Sequence, residues 1–403
     1  MGEWLGMRVA LVEPYLQSRT GHYYNTVSQV EAGFRELGHE VDIFIPKHSE
    51  IADLGQKAIP YSLTGVRGMP ILPKIAWHLR YIHGLTGFLQ SYISDYDLCL
   101  VTTSDNWETL YAASRVRSHT PIYLYLHALV ISQAKARFLR PFIDLNFNRT
   151  TNPIIFLHPT SLGRNLFQRK ITSANVDLIC DVPLPMAPLS EEKLKTISKS
   201  EAPSEETDFI ISYMGDVRLE KGFPAVVRLV SECNESYKFT IQCIPPASGY
   251  EPGALKWVDC LKAISERQSN VTLIERALLP DEFGKRISMS SIVLCLYEPK
   301  WYSNRMSGVL LETFPHGKPV IVVRGSSLAD QVERHGGGVI VDDAEPETVI
   351  RAIDAIRMDY RKFSDEALAA GDELRRFNTG ANLARTIIKD LEQRHRRVQP
   401  AKA

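Results

Sequence analysis

Short apolar runs recur along this chain, and stretches whose apolar positions repeat with helical spacing lie between them. In the first half the runs are Arg8–Val12, Val41–Ile45, Leu98–Val101, Ile122–Leu126, Ile154–Leu157 and Val176–Ile179. In the second half they are Phe209–Tyr213, Phe239–Cys243, Val271–Ile274, Ile292–Leu296, Val320–Val323 and Val339–Val341. The helical patterns include Val27–Leu37, ended by Gly38. This alternation predicts parallel sheets with helices on both faces. Between the halves, Met186 to Thr207 is polar, rich in Ser, Glu and Lys, and bracketed by prolines, which predicts a linker. The fold class is therefore α/β, with two doubly wound, Rossmann-like domains facing across a cleft. Their expected extents are residues 1–185 and 208–375, joined by a linker over 186–207. Residues 376–403 form a C-terminal helix long enough to cross back to the first domain. Ligands of such sheets bind beyond the carboxyl ends of the strands.

Composition narrows the class. Of 403 residues, 44% are hydrophobic and 23% charged, as in ordinary soluble globular proteins. Lys plus Arg equals Asp plus Glu at 47 each, so no nucleic-acid partner is expected. The balance is uneven, because Thr64 to Val176 carries 12 Lys/Arg against 5 Asp/Glu, a net of 12 − 5 = +7. Part of that excess lies in Pro70–Ile93 and Ala134–Arg149, where Lys74, Arg80, Lys135, Arg137 and Arg140 interrupt large apolar residues. Such stretches either lie on an anionic membrane surface or pack on a sheet with solvated basic faces. The six cysteines show no CxxC spacing, and Cys99, Cys180, Cys243 and Cys295 sit in apolar contexts, pointing to buried thiols in a reducing compartment. No apolar run reaches the roughly 18 residues of a membrane span, and the N-terminus lacks a basic leader. A cytoplasmic protein is expected.

The densest chemistry lies in Tyr297 to Val323. It reads as strand, polar loop, helix opened by Ser307 and Gly308, tight turn at Gly317-Lys318-Pro319, and strand. A helix start after a strand presents unpaired N–H groups to phosphate, and Gly308 permits close approach. Glu312, four residues on and about 6 Å along the axis, suits the hydroxyls of a ribose. An ordinary βαβ crossover with a surface glutamate fits the same spacing. In the loop after Phe209–Tyr213, Arg218 and Lys221 are placed to stabilise charge on a departing diphosphate without a metal; a solvated turn is the alternative. Gly21 and His22 follow the first strand without a GxGxxG pattern. The second strand ends in Pro46-Lys47 rather than in an acid, which disfavours a dinucleotide cofactor. His127 closes a strand and either reaches a ligand or is a satisfied buried histidine. Asp105, three before Glu108, reads as a helix cap. Asp95-Tyr96-Asp97 matches a metal-binding DxD, but at the amino end of its strand, and reads as strand-entry polarity.

Taken together, these residues resemble the GT-B, group 1 (family 4) glycosyltransferases over nearly the whole chain, most sharply from Ser212 to Asp343. Gly215-Asp-Val-Arg218-Leu-Glu-Lys221-Gly222 looks like that family's diphosphate loop. Arg305-Met-Ser307-Gly308-Val309-Leu-Leu-Glu312 looks like its nucleotide helix, Gly21-His22 its glycine loop and His127 its cleft histidine. Membership implies retaining, metal-independent transfer from a UDP- or GDP-sugar. Glu312 would then bind ribose, Arg218 and Lys221 the diphosphate, and His127 would sit beside the transferred sugar, with Arg305, Ser307, Gly308 and Val309 in the donor site. The family often has a second glutamate eight residues before Glu312, whereas here Asn304 stands there, so the donor sugar is left open. The expected acceptor is a glycan or lipid-linked glycan in cell-surface polysaccharide or glycolipid synthesis, with no cofactor beyond the nucleotide sugar. A nucleotide-sugar epimerase of the same fold and a catalytically silent binding subunit are the alternatives.

Overall fold

In a computed structural model, the structure describes residues 6–17, 19, 22–47, 49–51, 57–59, 70–127, 145–150, 152–161, 176–186, 209–233, 236–245 and 249–398. The chain forms two compact units, Met1–Ala187 with Phe377–Ala403, and Pro188–Arg376.

The first unit is built on a seven-stranded parallel sheet. Its strands are β1 (Arg8–Val12), β2 (Glu40–Pro46), β3 (Lys57–Ile59), β4 (Leu98–Val101), β5 (Ile122–Tyr125), β6 (Ile154–His158) and β7 (Val176–Cys180). Their order is β3-β2-β1-β4-β5-β6-β7, so the chain reverses direction across the sheet between β1 and β4. The expected runs match these strands to within a residue or so at their ends. The edge strand β3 was not anticipated. Its three residues are too few to register as a periodic signal.

Both faces of this sheet are buried, which is why its strands are apolar at consecutive positions. Ala10 and Val12 face the core shared with α2 (Ile71–Tyr92) and α3 (Trp107–Arg115). Val9 and Leu11 face the core shared with α1 (His22–Glu36) and the C-terminal helix Gly380–Val398. That helix approaches α1 backbone to backbone. A Cβ on Gly380 would lie 1.7 Å from the Gln29 carbonyl oxygen, so only glycine fits. Tyr123 on β5 donates to Asp390 at 2.9 Å, and Asn378 Oδ1 accepts from Leu184 N–H at 2.8 Å, fixing the returning segment to this unit.

α3 corrects one expectation. Asn106 rather than Asp105 is its N-cap, with Asn106 Oδ1 accepting from Thr109 N–H at 2.8 Å. Asp105 is the residue before this cap.

The second unit holds a six-stranded parallel sheet, β8 (Ile210–Tyr213), β9 (Lys238–Gln242), β10 (Val271–Ile274), β11 (Ile292–Cys295), β12 (Val320–Val323) and β13 (Gly338–Val341). The order is β10-β9-β8-β11-β12-β13, with its reversal between β8 and β11. The covering helices are α4 (Phe223–Glu232), α5 (Leu255–Ser265), α6 (Pro280–Met289), α7 (Pro299–Tyr302), α8 (Gly308–Thr313), α9 (Ser327–His335), α10 (Pro346–Met358) and α11 (Tyr360–Phe377). Gly222 turns the chain into α4 at φ 74°, where a Cβ would lie 1.9 Å from the Leu296 carbonyl oxygen. The loop after β8 is thereby pressed against the end of β11.

Among the described residues no helix is long and apolar enough to cross a membrane. Cys99, Cys243 and Cys295 are buried free thiols, and Cys180 is half-buried. The linker beyond Met186, and Lys135, Arg137 and Arg140, lie outside the described residues.

Candidate functional site

In the second unit, two loops leave adjacent strands at the point where the strand order reverses. The loop after β8 carries Gly215 to Gly222, and the loop after β11 carries Tyr297 to Ser307. This is where doubly wound sheets open a crevice for ligands.

Asp216 organises the first loop. Its carboxylate accepts from Arg218 Nε at 2.7 Å and from Lys221 Nζ. Burial would raise the Asp216 pKa, but Lys221 and then Arg218 overcome that and hold it below the usual carboxylate range. Arg218 answers in kind: desolvation would lower its pKa, but the charge of Asp216 raises it. Glu220 is the second anchor, 3.0 Å from Arg305 Nη1 and 3.7 Å from Arg218 Nη1. Arg218, Lys221 and Arg305 are thus brought together, each held by a carboxylate within its own unit. The positions of the three cations are set by the protein's own carboxylates.

The second loop is held as firmly. Arg305 lies over the rings of Trp301 and Tyr302 at 6.0 and 5.7 Å, and its carbonyl accepts from Ser327 Oγ. Ser307 is the N-cap of α8, its Oγ accepting from Leu310 N–H at 3.3 Å. α8 spans only six residues and continues as a 3₁₀ turn, Phe314–His316, to Gly317 at φ 62°. The strand, loop, helix and turn read from the sequence are all present, with a shorter helix. Gly308 is exposed, and a Cβ there would meet nothing within 4 Å, so packing does not require a glycine. Val309 faces the first loop, its Cγ2 3.7 Å from where a Gly215 Cβ would stand. Glu312 is exposed on α8. Asn304 is buried, and its Nδ2 has no hydrogen-bond partner among the described residues.

His127 belongs to the other unit. It follows β5, its Nε2 lies 3.0 Å from the Thr102 carbonyl oxygen, and its ring packs 4.8 Å from that of Tyr125. Desolvation pushes its pKa down to about 4, partly offset by the Thr102 bond, so the ring is neutral at physiological pH. His22 opens α1; its side chain, and Gly21 entirely, lie outside the described residues. Asp97 Oδ2 accepts from Arg8 N–H at 2.7 Å and Asp95 ends a 3₁₀ turn, so both serve the entry to β4. Among the described residues no group of His, Cys, Asp and Glu has an arrangement that could hold a metal ion.

Sequence reasoning passed over Asp216 and Glu220 as partners of the cations. Their spacing was the available signal, since acids two residues before Arg218 and one before Lys221 lie within one tight loop.

Comparison with known structures fixes the architecture. A sucrose-phosphate synthase from Thermosynechococcus elongatus superposes with a TM-score of 0.64 over 97% of this chain and 99% of that one, at 14% identity. The Anabaena protein HepE in complex with UDP gives 0.65 over 96% and 100%, at 13% identity. WaaG, a glycosyltransferase involved in lipopolysaccharide biosynthesis, gives 0.60 over 94% and 99%, also at 13% identity. The chain has the GT-B fold. No family model matches the sequence, and no curated protein matches it. The GT-B assignment therefore rests on structural likeness.

Proposed function

We propose that this GT-B chain is a glycosyltransferase that moves a sugar from a UDP- or GDP-sugar to a glycan or lipid-linked acceptor, with retention and without a metal. The observation that carries the reading is the Arg218, Lys221 and Arg305 cluster, held by Asp216 and Glu220 at the switch point of the second sheet. A leaving nucleotide diphosphate gains negative charge as the glycosidic bond breaks. Fixed cations stabilise that charge more in the transition state than in the ground state, which is what accelerates a reaction.

The neighbours support the ligand class. HepE has been captured with UDP and with UDP-glucose. Gly308, where packing asks for no glycine, suits a phosphate approaching the backbone. Glu312 stands exposed four residues on, where a ribose would offer two hydroxyl donors. The orphaned Asn304 amide would be satisfied by a sugar oxygen, and His127 would accept from or pack against the transferred sugar. Acceptor capture on a cytoplasmic membrane face is supported by α2, where Leu72, Ile75 and Leu79 are exposed beside Lys74 and Arg80.

A thermal-shift panel of nucleotides and nucleotide sugars tests the reading, because a specific ligand stabilises the folded state according to its excess over the dissociation constant. UDP or GDP should stabilise the chain, and Glu312→Ala should weaken that nucleotide at least about tenfold in calorimetry, given roughly 1.5–3 kcal/mol per charge-assisted bond. Indifference to every nucleotide would remove the reading. Conversion of a nucleotide sugar with no acceptor present would point to an epimerase instead.

A further inference from the structure

Glu13 follows β1, and Thr102 and Thr103 follow β4, the two strands between which the order of the seven-stranded sheet reverses. The Glu13 side chain is fully buried. Its Oε2 accepts from Thr102 Oγ1 at 2.7 Å and from Thr103 Oγ1 at 2.6 Å, and its Oε1 accepts from Tyr15 N–H at 2.9 Å. The backbone carbonyl of Thr102 in turn faces His127 Nε2 at 3.0 Å. A carbonyl oxygen only accepts, so Nε2 is the nitrogen that carries the ring proton.

The network is complete in both protonation states of Glu13. Ionised, the carboxylate takes the hydroxyl hydrogens of both threonines. Protonated, it can donate to Thr102 Oγ1, whose own hydrogen turns to the Val12 carbonyl oxygen 3.2 Å away. Burial raises the Glu13 pKa to about 7 against the opposing bonds from Thr103, Thr102 and Tyr15. The titratable groups facing it are Asp105 from the loop after β4, which raises it further, and Tyr81 from α2. Neither is a cation.

We propose that Glu13 is a positioning residue that, through Thr102, fixes the tautomer and orientation of His127 at the switch point of the first sheet. Its bearing on sugar transfer rests on the reading that His127 sits beside the transferred sugar. Glu13 itself, with no exposed surface, touches no substrate. It works by clamping the dipeptide whose carbonyl holds the imidazole, so a change in its proton alters the Thr102 hydroxyl and the setting of the ring without emptying a hydrogen bond.

Histidine-¹⁵N NMR of the full chain tests this without any ligand. The His127 ring signals are identified by their loss in His127→Gln. Wild type should show a neutral, Nε2-protonated ring, whose shifts move with a midpoint near that of Glu13. Glu13→Gln should abolish the midpoint. Thr102→Val should blunt it, while Thr102→Ser, which keeps the hydroxyl, should restore it; this pair carries the test if Glu13→Gln does not fold. An unchanged midpoint in Glu13→Gln or Thr102→Val, no midpoint in wild type, or an Nδ1-protonated ring would overturn the proposal. Such a result would leave the transferase reading standing. Conversely, a chain that binds no nucleotide would still report the Glu13–His127 coupling.

Discussion

Arg305 Nη1 lies 3.0 Å from Glu220 Oε1, tying the loop after β11 to the loop after β8. A backbone bond from Glu298 N–H to the Glu220 carbonyl, 3.0 Å long, reinforces the junction. Both side chains of the ion pair are more than four-fifths buried, at 18% and 17% exposure, so the pair is poorly screened. Arg305→Ala should destabilise the fold by roughly 1–3 kcal/mol, because it leaves the largely buried Glu220 carboxylate with only the longer Arg218 contact at 3.7 Å. Arg305→Lys should recover only part of this, since a lysine keeps the charge but not the planar contact with Trp301 and Tyr302. Urea unfolding of the three proteins checks it. Equal stability would mean that the ion pair adds nothing to the backbone bond and the packing that hold the two loops.

The paired cations make a separate prediction about chemistry. Arg218→Ala and Lys221→Ala should each lower turnover about 10²-fold or more, as removal of one transition-state donor commonly does. Asp216→Asn should also lower it, less steeply, because both cations lose the anchor that orients them. EDTA should leave the wild-type rate nearly untouched, since fixed cations supply the charge that a metal would otherwise provide. An enzyme silenced by EDTA and rescued by Mn²⁺ would contradict this assignment.

The strands were legible because both sheets are buried on both faces, so each central strand is a near-continuous apolar run such as Leu98–Val101 or Val320–Val323. The Gly215–Gly222 loop and the helix opened by Ser307 were legible as elements because each is local, built from residues close in sequence. Glu13 was not. A single acid after an apolar strand looks like any loop residue, and its meaning lies in Thr102 and Thr103, 89 and 90 positions away. The Asn106 cap was missed for the opposite reason. A helix start is uncertain by a residue or two, and a neighbouring acid satisfied the same pattern.

Glu13 also predicts a pH dependence of stability. Its folded pKa, about 7, lies above the ordinary value of 4.5. Between those values the folded chain keeps a proton that the unfolded chain has released, so stability falls as pH rises through the window. The contribution is fully present below the unfolded pKa and lost above the folded one. Glu13→Gln removes this slope. Relative to wild type, the variant should gain roughly 2–3 kcal/mol between about pH 5 and about pH 8. Urea unfolding at the two pH values measures the difference, and a variant that tracks wild type at both would show that Glu13 titrates as an ordinary carboxyl.

The last prediction concerns α2. Leu72, Ile75 and Leu79 are 79%, 51% and 60% exposed and recur at helical spacing, so they form one apolar stripe. The helix contains no Asp or Glu, and Lys74 and Arg80 flank the stripe. An apolar stripe beside cations suits an anionic bilayer, where burial of the leucines adds to about 1 kcal/mol from each cation near the surface. The protein should therefore sediment with vesicles containing phosphatidylglycerol at low salt and be released as ionic strength rises. Leu72→Ser with Leu79→Ser should reduce binding at all salt concentrations, because it removes the unscreened apolar share. Arg80→Ala with Lys74→Ala should reduce it mainly at low salt, where the electrostatic share is largest. Neutralising Lys135, Arg137 and Arg140 separately shows whether the second basic stretch contributes. Nucleotide binding should be unchanged in all of these variants, since the residues proposed to hold the nucleotide lie in the other unit. Wild-type protein that stays in the supernatant at low salt would mean that these basic faces are only solvated, and would favour an acceptor free in solution.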